Sequence, residues 1–262
     1  MNFIDLNSDL GESFGNYKLG DTAAILDQTA PPIPSEDSDR DPSDPPAGHP
    51  LRTVEAAQGQ GVALGAHPGY PDLQGFGRRK MDMKEDEIYN MALYQLGALE
   101  AFTRVYGTKI RHINGHGALG NLSHKDPMVA HAIVHAAHDF DPNLLIAAPN
   151  MKSCMVAAAE EYGMKILTYL FHVDRNYDDE GFLVPRGTPQ AMITDEDYAL
   201  SRVVRAVKEH KVTAASGKDL EIHAPERILI HGDQPKALIF AKKLRDAVES
   251  EGIKVMYSGD AH

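Results

Sequence analysis

The sequence predicts an α/β barrel with its chemistry gathered at one rim, and three observations carry that reading. Short apolar runs alternate with helical patterns along most of the chain. The runs are continuously apolar, as parallel strands covered on both faces are expected to be. Five of them lead straight into a polar motif: Asp5-Leu6-Asn7-Ser8-Asp9-Leu10-Gly11-Glu12, Gly65-Ala66-His67-Pro68-Gly69-Tyr70-Pro71, His112-Ile113-Asn114-Gly115-His116-Gly117, Val173-Asp174-Arg175 and Ile230-His231-Gly232-Asp233. In a β/α barrel the residues just past the carboxyl ends of the strands converge on one pocket, however distant they are in sequence. The chain therefore reads as an enzyme of that architecture or the descendant of one.

Taken in order, strands are expected at residues 3–6, 62–66, 110–113, 144–148, 166–171, 228–230 and 253–257. Helices lie between them. Ile88, Ala92, Leu96, Leu99 and Phe102 recur at three- and four-residue steps, Leu200, Val203, Val204 and Val207 mark another helix, and Ala237, Ala241, Leu244 and Val248 a third with Gly252 placed to end it. The pattern at 151–162 is also helical and contains Cys154, the one cysteine, which reads as a small buried hydrophobe.

One segment breaks the alternation. Between positions 31 and 50 lie seven prolines and five acidic residues, with Ile33 the one large apolar side chain. Proline cannot donate to a sheet ladder and its φ is fixed, so this stretch is no central strand. Too little of it can be buried to offset the entropy of ordering. It is expected to be a disordered surface excursion at 29–50 within a single barrel domain spanning 1–262.

A chain of 262 residues is long enough for one large barrel. The net charge of -12, from 26 Lys and Arg against 38 Asp and Glu, repels a phosphate backbone, and no basic stripe offsets it. Nucleic acid is excluded as a partner. The start lacks a basic stretch followed by an apolar one and no run is long enough to cross a bilayer, so a cytoplasmic protein without membrane contact is expected.

The motifs resemble the LamB/YcsF family. Beyond those above, the resemblance rests on Gly61-Val62-Ala63-Leu64-Gly65-Ala66-His67-Pro68-Gly69-Tyr70-Pro71-Asp72 with Gly75-Phe76-Gly77-Arg78, on Tyr94-Gln95-Leu96-Gly97-Ala98-Leu99, and on Asp174-Arg175-Asn176-Tyr177 with Leu183-Val184-Pro185-Arg186. They run in order over nearly the whole chain. The resemblance implies a β/α barrel of the glycoside hydrolase/deacetylase type. It also implies the opening of a lactam, 5-oxo-L-proline, to L-glutamate, coupled to ATP and carried out by an A-type 5-oxoprolinase subunit with two partner subunits.

A lactam carbonyl resists water and its nitrogen leaves poorly, so the chemistry needs a general base, a proton for the departing nitrogen, and cations near phosphoryl oxygens. With the resemblance, Asp9 and Glu12 are candidates for base and acid, and His67 and His116 for proton transfer. Asn7, Arg175 and Arg186 are candidates for holding substrate or phosphate, and Asp174, His231 and Asp233 join them, His231 with Asp233 as an oriented imidazole and carboxylate. There is no Walker-type loop, so ATP has to be met at the rim or by a partner chain. His131 and His135 stand four apart but lack the Glu of a zincin motif and read as a solvated helix face, and Arg78-Arg79-Lys80 reads as an exposed cluster.

The chain also departs from the family pattern. The Pro/Asp-rich stretch occupies the place of a strand-like Ser-Ala-Asn-Ile-Ala-Cys-Gly-Phe-His-Ala-Gly-Asp segment, so one strand is expected to be missing or distorted. A Lys-Pro-His-Gly motif becomes Asn114-Gly115-His116-Gly117, a tyrosine is lost at Leu119-Gly120-Asn121, and a glutamate ahead of Asp174 becomes Leu170. Two further readings follow: a metal-assisted, deacetylase-like amide hydrolase at the same rim, and a catalytically impaired relative that acts as a binding protein.

Overall fold

The structure, a computed structural model, describes residues 3–10, 50–150, 152–167, 170–223, 225–231 and 237–260. Its elements in chain order are β1 (Phe3–Asp9), α1 (Pro50–Gly59), β2 (Leu64–Ala66), α2 (Glu85–Val105), β3 (Ile110–Ile113), α3 (Gly117–Ser123), α4 (Pro127–Phe140), β4 (Leu145–Ala147), α5 (Cys154–Glu161), β5 (Ile166–Leu167), β6 (Leu170–His172), α6 (Glu196–Glu209), β7 (Lys211–Thr213), β8 (Asp219–Glu221), β9 (Arg227–His231), α7 (Ala237–Ser250) and β10 (Lys254–Val255). The α/β class is borne out, and each expected strand has a counterpart. The run at 166–171 supplies two, β5 and β6. Residues 29–49 of the expected excursion lie outside the described residues. Pro50 already opens α1, where a proline's missing N–H costs nothing because the first helical donors have no partner within the helix.

The described chain divides into two compact units, Leu64–Leu170 and the remainder, Met1–Ala63 with Phe171–His262. In the second, β10, β1, β9 and β6 lie side by side, with β1 parallel to both neighbours. Parallel pairing puts Asp5 opposite Arg227, Asn7 opposite Leu229 and Asp9 opposite His231. Since side chains alternate along a strand, Ile4, Leu6, Ile228, Ile230, Phe171 and Val173 share one face. They pack there with Ala199, Val203 and Ala206 of α6 and Phe240, Ala241, Leu244 and Val248 of α7. The opposite face carries Asp5, Asn7, Asp9, Arg227, Leu229, His231 and, from β6, His172. One side of this sheet is thus helix-packed core, and the other is polar.

The Leu64–Leu170 unit repeats the division. β2, β3, β4 and β5 form a parallel sheet in that order. Ala66, Ile113 and Ile146 pack with Ile88 and Leu96 of α2, Leu119 of α3, Ile133 of α4 and Met155 of α5. Gly65 and His112 are register partners on the other face, where a Cβ at Gly65 would run into the His112 ring, so only glycine fits.

Local signals set the helix boundaries. Asp126 accepts N–H bonds from Met128 (3.0 Å) and Val129 (3.5 Å) ahead of Pro127, the first residue of α4, and Asp195 caps α6 through the Tyr198 N–H at 3.0 Å. Glu85, Asp86 and Glu87 place negative charge in the first turn of α2, where the helix dipole favours it. The antiparallel pair β7 and β8 was not expected from the sequence. Each strand is three residues long with one large apolar side chain, and its anchor, Arg205 of α6 bonded to Thr213 and Asp219, is a tertiary contact.

Candidate functional site

At the carboxyl end of β9, His231 Nδ1 lies 2.7 Å from Oδ1 of Asp174, and both residues are buried. A carboxylate only accepts, so Nδ1 carries the hydrogen and Nε2 is left as the proton-accepting nitrogen of the neutral ring. Asp9 is the register partner of His231 on β1, so a second carboxylate stands beside the pair. On the β6 side the His172 ring lies against His231, with centroids 5.5 Å apart and planes 29° from parallel. This arrangement can take a proton from water or an N–H group, stabilise the imidazolium that results, and return the proton to a leaving nitrogen.

The segment carrying Asp174 is held from behind. The His172 main-chain N–H donates to Oη of Tyr177 at 2.9 Å, and burial pushes the Tyr177 phenol up to about 12, so it stays neutral. Arg202 of α6 donates to the main-chain carbonyls of Val173 (3.4 Å) and Arg175 (3.2 Å) while lying over the rings of Phe171, Tyr177 and Tyr198. The Arg175 guanidinium is itself buried and donates to the carbonyl of Val184, which ties the loop after β6 to the loop near Arg186. Arg186 is half-buried in that second loop.

In the Leu64–Leu170 unit, His67 and His116 form an edge-to-face pair, centroids 5.0 Å apart and planes at 80°. His67 Nδ1 lies 2.6 Å from the Asn114 carbonyl and His116 Nε2 lies 2.7 Å from the Phe76 carbonyl. Carbonyl oxygens cannot donate, so each of those nitrogens carries hydrogen, and the lone pair of each neutral ring sits on His67 Nε2 and His116 Nδ1. The two loops are laced together by main-chain bonds from Asn114 to Ala66 (2.9 Å), His116 to Pro68 (2.8 Å) and Ala118 to Gly77 (3.0 Å). The Gln95 amide of α2 closes on Gly69 at both ends, accepting from its N–H at 3.0 Å and donating to its carbonyl at 2.9 Å.

Of the residues expected at the site, the structure brings together Asp9, Asp174 and His231, and separately His67 and His116. Asn7 lies two residues before Asp9 on the same face of β1, half-buried. Glu12 and Asp233 lie outside the described residues; the carboxylate seen orienting His231 is Asp174. The sequence reading missed His172, which follows directly on the strand expected at 166–171 and was given no role. The signal was its spacing from Asp174, two positions apart and so on one side of an extended chain. It also missed Asp5 and Arg227, buried on the same polar face. Among the described residues no three His, Cys, Asp or Glu side chains are grouped so as to hold a metal ion. His131 reaches Glu85 (2.5 Å) and the Tyr162 hydroxyl (3.1 Å), and the Tyr162 ring also stacks on His135 with centroids 5.3 Å apart. In the basic cluster, Arg79 and Lys80 are exposed, Arg79 pairs with Asp72, and the Arg78 guanidinium lies 4.8 Å above the Phe76 ring.

Comparison with known proteins finds relatives over nearly the whole chain. The profile of the LamB/YcsF family matches residues 4–31 and 46–261. A protein of Staphylococcus carnosus (strain TM300), named as the A subunit of 5-oxoprolinase, is 42% identical over 256 residues, covering 98% of this chain and 99% of that one. A protein of Staphylococcus aureus (strain Newman) with the same name is 41% identical over 252 residues, covering 96% and 98%. The crystal structure of a lactam utilization protein from Thermus thermophilus matches with a TM-score of 0.82 at 34% identity, over 97% of this chain and 98% of that one. With a profile match over most of its length and relatives at this identity across nearly all of it, the chain belongs to the LamB/YcsF family.

Proposed function

We propose that this chain is the A-type subunit of a 5-oxoprolinase, a hydrolase that opens the five-membered lactam of 5-oxo-L-proline to L-glutamate with ATP as cosubstrate and partner subunits beside it. The observation that carries the reading is the 41–42% identity, over nearly the full length of both chains, to proteins that bear the name of that subunit. The geometry supports it with a buried imidazole oriented by one carboxylate and flanked by another. Phosphorylation of the lactam oxygen by ATP makes the ring carbon attackable. His231 then takes the proton of the attacking water, and the imidazolium, with Asp9 beside it, returns that proton to the ring nitrogen as the C–N bond breaks; hydrolysis of the acyl phosphate left behind yields the glutamate carboxylate and releases inorganic phosphate. The ATP that this reading calls for makes the cytoplasm the proposed location. Among the described residues no helix is long and apolar enough to cross a membrane.

The test is glutamate and ADP release from 5-oxoproline by the purified full chain, with and without ATP and with and without candidate partner subunits. Glutamate appearing only with ATP and partners is the expected result. Its absence under all conditions sinks the reading and favours a binding protein of the same fold, an alternative supported by residues 32–45, which the family profile passes over.

A further inference from the structure

We propose that His172 is a positioning residue for His231, its ring being the flat surface that keeps the His231 imidazole turned toward Asp174. The inference rests on His231 being the proton carrier of lactam opening and adds the side chain that holds it in register. In the sheet order β1, β9, β6, His231 lies between two neighbours on the polar face, Asp9 on one side and His172 on the other. The torsion that turns a histidine ring is broad, so one hydrogen bond at Nδ1 leaves the ring plane free to swing about it. A second ring packed 5.5 Å away at 29° removes that freedom.

His172 is itself fixed. It is buried, its main-chain N–H is held by Tyr177 Oη, and the next residue, Val173, donates to the Leu229 carbonyl of β9 at 3.1 Å, which locks the two strands side by side. The charged groups around the pair are Asp174 on its own segment, Asp9 and Asp5 on β1, Arg227 on β9, and Arg175 and Arg202 behind Val173. Of these, Asp174 is the one bonded to His231. Its alignment with Nδ1 depends on the plane of the imidazole, which is what His172 sets.

The experiment uses the full chain labelled with nitrogen-15 and reads the low-field Nδ1–H proton resonance of His231, assigned by its loss in Asp174→Asn. His172→Phe keeps a flat ring and is expected to keep the resonance. His172→Ala removes the ring and is expected to lose the resonance to exchange. In the reconstituted assay kcat should stay within about threefold for His172→Phe and fall about 10- to 100-fold for His172→Ala, with KM little changed. If His172→Ala does not fold, His172→Leu, bulky but not flat, takes its place. Persistence of the resonance in the ring-free variant overturns the proposal, and so does its loss in His172→Phe, which would show a need for a polar ring. The resonance is read without substrate. Absent turnover in every form, with the resonance behaving as expected, therefore counts against the lactam reading and leaves the positioning role standing.

Discussion

Arg227 and Asp5 are register partners at the amino ends of β9 and β1, with Nε 3.8 Å from Oδ2 and both groups buried. Burial works against both charges, raising the Asp5 carboxyl and lowering the Arg227 guanidinium, and each charge offsets part of that effect on the other. Ser258 adds its hydroxyl (3.0 Å) and N–H (3.3 Å) to the Asp5 carboxylate. Removing one member alone strands the other. Arg227→Met is expected to destabilise the chain by about 3–5 kcal/mol in urea unfolding, and adding Asp5→Asn should recover much of that loss. A single variant as stable as the parent would show that the two charges do not depend on each other.

Gly77 sits at φ +64 with its absent Cβ directed 2.9 Å from Cδ2 of His116. Gly77→Ala meets two penalties, a left-handed backbone disfavoured by about 1–2 kcal/mol and a methyl group pressed on the imidazole. Thermal unfolding should register the first. The second should show as a fall in turnover larger than the stability loss accounts for, because the ring must leave the Phe76 carbonyl to make room. A variant with full turnover at a temperature where it is folded would separate His116 from the chemistry.

His124 supplies a pH dependence that is independent of catalysis. Burial beside Ser153, whose Oγ lies 2.9 Å from Nδ1, holds its imidazole down at about 4, against an ordinary value of 6.5. The unfolded chain therefore takes up a proton at this position before the folded chain does. Stability is lost as the pH falls from about 6.5 toward about 4 and levels off below that, by up to about 3 kcal/mol from this group. His124→Gln cannot titrate and should flatten this part of the stability curve in urea titrations from pH 7 to 4. An unchanged slope would assign the acid sensitivity elsewhere.

Asp174→Asn preserves the size of the side chain while removing its charge and allowing an N–H to face Nδ1 of His231. Both effects disfavour the tautomer that presents Nε2 as the base. Glutamate release by the reconstituted enzyme should fall about 10²- to 10⁴-fold, with unfolding by urea little altered. Retention of more than a tenth of the parental rate would remove the pair from the mechanism.

The fold was more legible than the site. Apolar runs such as Ile228 to Ile230 and Leu145 to Ala147 showed as strands because burial on both faces leaves no polar alternation to confuse them, and Ile88, Ala92 and Leu96 showed as a helix by their spacing. β7 and β8 lacked that signal, as their pairing is fixed by Arg205. In the site, residues that follow strand ends were readable, which is how Asp9, His67, His116, Asp174 and His231 were found. His172 ends β6 as His231 ends β9, but its role comes from a ring contact between strands, and those of Asp5 and Arg227 come from register between segments 222 positions apart. No local pattern encodes that pairing.

Alternation along β1 and β9 also governs how this protein can change. Ile4, Leu6, Ile228 and Ile230 grip the helices and odd-numbered positions of both strands face the polar side, so exchanging an odd-numbered side chain can alter reactivity while leaving the apolar packing alone. Deleting a single residue from either strand would do the reverse, turning Ile4 and Leu6, or Ile228 and Ile230, toward the polar side and carboxylates or Arg227 into the grease. Point substitutions at polar-side positions near the carboxyl ends of these strands, away from the Asp5 and Arg227 pair, are therefore routes to new specificity, whereas one-codon deletions there end both folding and chemistry together.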